Sequence, residues 1–406
     1  MFAGERRFRL RTVRLTGALA VIVCIASTLP MVAASQAGNP DFMRLAEKAK
    51  KASDEGRLDD AARLYAQALA LRPKWVDGWW ALGTLEYDRD HYAKAAADFR
   101  KLVVLQSNNG MAHAMLGLSE FELGHEGSAL QHIQKGKNIG LTKDVDFWHV
   151  VLYHEGVLLQ RKGGFEAAKE TLEELCLQGV QSNEVTNALG MTMLRLTAKN
   201  PPSAGTVEAD VIPRVGRAEC LAGQKKYEEA RPLFDRVTKD NPSFPNIHYA
   251  YGLFLLELRE LPNAIEELNL EVKNNPAHIL ARLRIAAILY KEDSAAGIPY
   301  AEEAVKMEPK LGFAHYLLGL LLLDTDKYEQ ALPELEIAQK SFPREAKLYF
   351  ALGSAYSRAG RKQDAVRARA MFEKLTREGA ASSLGGEEQG LRGKQPESIT
   401  PPGSPQ

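Results

Sequence analysis

The chain has 406 residues, 45% of them apolar, 26% charged and 8% aromatic, which is enough apolar surface for packed domains and excludes wholesale disorder. Basic and acidic side chains number 52 each, so the formal net charge is zero. Residues 1–34 hold five of the arginines and one glutamate, which leaves 47 basic against 51 acidic groups in the rest. Such a mildly acidic body lacks the clustered positive charge that non-specific nucleic-acid binding requires.

In chain order, the first element is a signal-like segment. Arg6, Arg7, Arg9, Arg11 and Arg14 precede an apolar run from Leu15 to Ala34. Small residues then stand at a processing point, Val32-Ala33-Ala34 before Ser35, with Ser35-Gln36-Ala37 as a second candidate. The run also approaches the ~20 apolar residues that span a bilayer, so an uncleaved anchor is the alternative. Pro30 and the small residues after it favour cleavage. Cys24 lies deep in the run behind Val23, which argues against a lipoprotein site, and "ERRFRLR" lacks the pattern that surrounds a twin-arginine signal. The expected location is the periplasm or the exterior of a bacterial cell, or the inner membrane facing the periplasm if the segment stays in place.

Beyond residue 34 the chain repeats itself. Gly83 and Gly117 are 34 residues apart, as are Ala61, Ala95 and Ala129 in succession, and Gly319 and Gly353. Pro242, Pro276, Pro309 and Pro343 follow one another at intervals of 34, 33 and 34. A fixed period of this length marks stacked supersecondary units. Each unit opens with a helical segment such as "AHYLLGLLLLD" (314–324), apolar on more than one face. A short polar turn follows, then an aromatic or leucine that begins a second, amphipathic helix: Leu58, Tyr92, Phe165, Tyr227 and Tyr328. The small residue of that helix (Ala61, Ala95, Ala129, Ala168, Ala230, Ala264, Ala331, Ala365) allows close approach to the first helix. Proline then closes the unit, because it cannot extend the helix. Units start near Phe42, Val76, Gly110, His149, Val211, Pro245, His278, Gly312 and Ala346, about nine in all.

The expected organisation is a first block over 42–198, a Pro/Gly-rich insert over 199–210, a second block over 211–378 and a disordered tail over 379–406. "NEVTNALGMTMLRL" (183–196) reads as a first helix with no second helix after it. "KEDSAAGIPY" (291–300) lacks the usual turn and predicts a shortened second helix. Cys176 and Cys220 lie in helical, apolar contexts where cysteine packs as a small hydrophobe. An exported protein could pair them, although no spacing demands it.

The pattern resembles the tetratricopeptide repeat family, through "WWALGTLEY" (79–87) with Ala95 and Phe99, and "HYLLGLLLL" with Tyr328, Ala331 and Pro343. The resemblance implies an all-α, right-handed superhelical solenoid whose concave wall is lined by the first helices. Carried over, the wall comprises Trp80, Thr84 and Tyr87; Tyr153, Val157 and Gln160; Tyr249, Leu253 and Leu256; Tyr316, Leu320 and Leu323; and Phe350, Ser354 and Ser357. An aromatic recurs at the leading position, where it either packs between first helices or anchors a partner. Family members that grip a C-terminal carboxylate use Lys, Arg and Asn at such positions, which this chain fills with aromatics and leucines. Basic or aromatic-rich segments suit the wall better.

A search for chemistry returns no nucleophile elbow, phosphate loop, dinucleotide fingerprint or paired-cysteine metal site. His149 and His154 are five apart, poorly placed on a helix to share a metal, and "HEGVL" (154–158) has the wrong sequel for a metalloprotease. His113, His248 and His315 occupy one equivalent position and read as packing residues where other units use Trp79 or Tyr349. The expectation is a non-catalytic scaffold for protein partners, without cofactor, metal or nucleic acid. The alternative is an accessory glycan-binding subunit of an envelope enzyme or polysaccharide-export machine.

Overall fold

A computed structural model describes residues 40–141, 144–199 and 203–378. The proposed signal segment and tail therefore lie outside the described residues. The fold class is all-α: nineteen helices, with no strand among the described residues, all but one of them paired in series. No helix among the described residues is long and apolar enough to cross a membrane. The chain divides into two compact units: one runs to Lys162 and takes in Ala167–Ala188, and the other holds Gly163–Glu166 and continues from Leu189.

The first unit contains the hairpins α1 (Pro40–Asp54) with α2 (Leu58–Leu71), α3 (Val76–Asp88) with α4 (Tyr92–Leu105) and α5 (Gly110–Glu122) with α6 (Glu126–Ile139). It also holds α7 (Val145–Arg161), the greater part of α8 (Phe165–Leu177) and the start of α9 (Asn183–Met193). The helix-turn-helix boundaries follow local chemistry. Each turn needs one residue in the left-handed region, supplied by Gly56 and Gly124 and, at some steric cost, by Asp90 at φ 60°. The expected small residues of the second helices, Ala61, Ala95 and Ala129, are all fully buried. Around them Phe99, Leu102, Met115, Leu116, Leu118 and Ile133 form the core of the α4–α6 region. Cys176, on α8, is buried and disulfide-bonded.

The second unit continues with α10 (Val207–Gly223), α11 (Tyr227–Asp240), α12 (Ile247–Glu257), α13 (Leu261–Asn274), α14 (Ile279–Leu289) and α15 (Ser294–Met307). It ends in α16 (Gly312–Asp324), α17 (Tyr328–Ser341), α18 (Ala346–Arg358) and α19 (Lys362–Arg377). Helix α10 begins inside the stretch read as an insert, because Thr206 accepts a hydrogen bond from the Ala209 N–H and caps it. The lone first helix α9 stacks directly on α10: a Cβ at Gly190 would come within 1.9 Å of the Ile212 carbonyl oxygen. Cys220, on α10, is likewise buried and disulfide-bonded. Contrary to expectation, α15 is not shortened; it has 14 residues, the same as α13 and α17. Asp293 replaces the usual turn by accepting from the Ala296 N–H at 3.1 Å, so the helix starts on a side-chain cap.

Candidate binding faces on the first helices

The leading residues of the expected wall differ sharply in exposure. In the first unit Trp80 is half-buried and edge-on to Phe99, with ring centroids 5.7 Å apart. Tyr87 is half-buried against Tyr92 at 5.3 Å, and Tyr153 is half-buried beside His154, also at 5.3 Å. Thr84 is half-buried, while Val157 and Gln160 are buried. In the second unit Tyr249 is 1% exposed and Tyr316 7%, whereas Phe350 is 62% exposed. Leu253, Leu256, Leu320 and Leu323 are half-buried and lie against the core, Ser354 is half-buried and Ser357 is exposed.

These differences trace to neighbouring helices. Tyr249 rests on the His278 ring at 4.7 Å, so the N-cap of α14 covers it. Phe350 stands on α18, in the last pair of described helices, and lies against α19 through Phe372 at 5.6 Å. Tyr249, Tyr316 and Val157 are thus packing residues between helices. The faces open to contact are Trp80, Thr84, Tyr87 and Tyr153 in the first unit, and the four leucines with Phe350 in the second.

A second recurring position carries more chemistry than a packing role. Trp79 Nε1 donates to the Pro73 carbonyl at 2.8 Å, and Tyr349 OH donates to that of Pro343 at 3.0 Å. His113, His248 and His315 place Nε2 3.1, 2.8 and 2.9 Å from the carbonyls of Ser107, Pro242 and Pro309. All five acceptors stand six residues upstream, at the end of the preceding repeat. The position therefore selects a ring-borne hydrogen-bond donor, which satisfies a carbonyl released where the previous helix ends. The signal was present in the sequence: Trp, His and Tyr share a donor at the ring edge, and Phe, which has none, is absent from these five sites. Arg282 fills the equivalent place on α14, reaching its own turn at the His278 carbonyl and Glu303 through Nε at 2.6 Å.

The other imidazole nitrogen distinguishes the three histidines. His248 Nδ1 lies 2.6 Å from Glu267, and His315 Nδ1 2.5 Å from Glu334. Burial disfavours the charged imidazole of His248, but the bonds to Glu267 and Pro242 outweigh it and its pKa is raised. His113 Nδ1 instead meets His132 Nδ1 at 3.2 Å, and burial lowers both pKa values. Two more histidines are held neutral. Burial pushes His154 down to about 4, and His278 down to about 3. His278 Nδ1 accepts from the Ala281 N–H as the cap of α14, while Nε2–H donates to Asn246 Oδ1 at 2.9 Å. Asn246 in turn donates to the Leu194 carbonyl at 2.8 Å, so this imidazole is fully used by the fold.

A groove of about 340 Å³ between α10 and α11 is lined by Asp210, Arg214, Arg217, Leu233, Arg236 and Asp240. Arg214 is spoken for, pairing with both Asp210 and Asp240. The groove brings cations and an apolar side chain together but no nucleophile with a base.

Comparison with family models agrees with this repeat. The tetratricopeptide repeat family model matches residues 47–112, 216–279 and 316–370, so the chain carries tetratricopeptide repeats in both of its units. Anaphase-promoting complex subunit 3 of Schizosaccharomyces pombe is 22% identical over 278 residues, 66% of this chain and 41% of that protein. Protein IFIT1 homolog B of Homo sapiens is 25% identical over 150 residues, 35% of this chain and 32% of its own length. The chain thus spans well under half the length of either relative. Among solved structures, MamA from Desulfovibrio magneticus RS-1 is 22% identical with a TM-score of 0.39, covering 42% of this chain and 97% of that one. Yeast Tom70 is 13% identical with a TM-score of 0.34, covering 83% and 84%.

Proposed function

We propose that the protein is a non-catalytic scaffold of the bacterial cell envelope, binding partner segments on the open faces of its first helices. The observation that carries the reading is the recurrence of half-buried aromatic and leucine side chains among the three wall positions of the first helices, Trp80, Tyr87 and Tyr153 in one unit and Leu253, Leu256, Leu320 and Leu323 in the other. Preformed faces of this kind bind an extended segment or helix with little ordering cost. A relative named as a subunit of the anaphase-promoting complex supports a role in assemblies. The arginine-rich start and the apolar run 15–34 support export.

The preferred segment is apolar with a positive charge. On the first helix α3 itself, Asp88 follows Tyr87 and is exposed, which gives that face a carboxylate. In the second unit Asp324 is engaged by Lys291 and Ser294.

The test is capture from an envelope fraction with wild type, Trp80→Ala/Tyr153→Ala and Phe350→Ala, followed by competition with basic peptides, acidic peptides and oligosaccharides. Loss of the captured partner in a variant, together with its displacement from wild type by basic peptide, supports the reading. Competition by oligosaccharide alone would replace it with glycan binding, and equal capture by all three proteins would remove the wall from the mechanism. Tyr249 and Tyr316 are unsuitable for this purpose, since truncating either empties a buried site.

A further inference from the structure

The contact between His113 on α5 and His132 on α6 is unlike its counterparts. His248–Glu267 and His315–Glu334 have the same 19-residue separation and bridge the same two helices of their hairpins, but at 2.6 and 2.5 Å. Those are distances of charge-assisted hydrogen bonds, in which a proton must lie between the two atoms. The two imidazoles stand 3.2 Å apart through Nδ1, with rings stacked at 18° and centroids 5.4 Å apart. Two nitrogens bound tetrahedrally to Zn²⁺ at about 2.0–2.1 Å are roughly 3.3 Å apart. The pair therefore already has the separation that a metal ion demands of two ligands, and the His–Glu pairs do not.

We propose that His113 and His132 form a two-imidazole site for a borderline divalent cation of the Zn²⁺ or Cu²⁺ class. Three features of the hairpin prepare it. His113 is 2% exposed and its Nε2–H is anchored on the Ser107 carbonyl, which fixes the tautomer with a lone pair on Nδ1 and orients the ring, as carbonyl partners do for metal-binding histidines. His132 is only half-buried, so an ion can reach the pair. Glu120 lies seven residues after His113 on the same face of α5. One of its oxygens accepts from Arg100 at 3.0 Å, and the other is buried without a hydrogen-bond partner. The Glu120 carboxylate favours positive charge at His132, against which Arg100 and Lys135 act.

Binding exchanges one proton position for a metal bond. In the metal-free pair one proton lies between the two Nδ1 atoms, donated by His132. When the cation takes both Nδ1 lone pairs, that proton is lost to water and His132 Nε2 takes one up. Two neutral imidazoles then hold the ion, water completes its coordination, and no net proton is released.

The experiment is a calorimetric titration of the full chain at pH 7.5 with ZnCl₂ and with CuSO₄, comparing wild type, His132→Glu and His132→Gln. His132→Glu installs the pair that α12–α13 and α16–α17 already carry, so it is expected to fold and to bind metal at least tenfold more weakly. His132→Gln is expected to lose the same binding step. In wild type, ring-nitrogen resonances of His113 and His132 should shift on metal addition and return with EDTA. Should His132→Glu not fold, His132→Gln and the ring resonances decide. Wild type without heat or resonance shifts up to millimolar metal would overturn the proposal, as would variants that bind as wild type does.

Discussion

The hairpins α5–α6 and α12–α13 are the same repeat unit built from different chemistry, one in each compact unit of the chain. At the leading position of the first helix one has Ala114, fully buried, where the other has Tyr249, 1% exposed. At the small position both have glycine, Gly117 and Gly252, but in different surroundings. At the inter-helix polar contact one has a histidine pair and the other a histidine–glutamate pair. A period of 34 residues therefore specifies where helices meet and leaves open how. Small side chains bring α5 and α6 together backbone to backbone, while larger ones hold α12 and α13 apart and fill the gap.

Exchanging these residues should expose the contrast. Tyr249→Ala makes α12 resemble α5 at one position, but nothing in that hairpin moves in to replace the ring. The expected loss is about 3–5 kcal/mol, the range for emptying a buried aromatic site, read as a shift in the urea midpoint of the second unit. Tyr249→Phe separates ring from hydroxyl. The Tyr249 hydroxyl is buried without a hydrogen-bond partner, so its removal should leave the midpoint unchanged or raise it. A loss of more than about 1 kcal/mol in Tyr249→Phe would mean that the hydroxyl has a partner after all.

Next in size is the glycine. A Cβ at Gly117 would stand 2.8 Å from the Ala129 carbonyl oxygen and 2.9 Å from the Ile133 nitrogen, both backbone atoms of α6. A Cβ at Gly252 would meet the Leu268 side chain first, at 3.0 and 3.1 Å. Leucine can turn aside and a helix backbone cannot. Gly117→Ala is expected to cost about 2–3 kcal/mol, near the upper end for overpacking, even though alanine is the better helix former by about 1 kcal/mol. Gly252→Ala should lie within about 1 kcal/mol of wild type, because helix propensity offsets the small strain. Equal effects at the two sites would remove the distinction between the hairpins.

Such differences show what was legible beforehand. Helix starts at Leu58, Tyr92, Phe165, Tyr227 and Tyr328 were readable, because a polar turn followed by an apolar anchor encodes them locally. The buried alanines were readable from their spacing. Burial of Tyr249 and exposure of Phe350 were not, since both occupy one register position and differ only in what stacks next. The full length of α15 is not legible in the sequence, because Asp293 supplies by a side-chain cap what other units supply by a turn. The role of the Trp79, His113, His248, His315 and Tyr349 position was half-visible. Aromatic recurrence suggested packing, and only the shared carbonyl acceptor shows that a donor is what the site requires.

The smallest expected effect concerns the sign of a pH dependence. His248 has a raised pKa in the fold because Glu267 and the Pro242 carbonyl favour the imidazolium over the cost of burial. Its contribution is present in full below the unfolded value of about 6.5 and fades as pH rises through the folded value. His113 and His132 have lowered values, so theirs is present above about 6.5 and fades as pH falls through the folded values. His154 and His278, held at about 4 and about 3, add an acid-side loss common to every variant. Differences between proteins are therefore the quantity to measure. The wild-type advantage over His248→Gln should shrink between pH 5.5 and pH 8, and the advantage over His132→Gln should grow, each by less than about 1 kcal/mol for groups partly screened by solvent. His132→Glu should bring the slope of the α5–α6 hairpin over to that of α12–α13. Parallel slopes in all three variants would show that the second residue of the pair does not set the charge of the first.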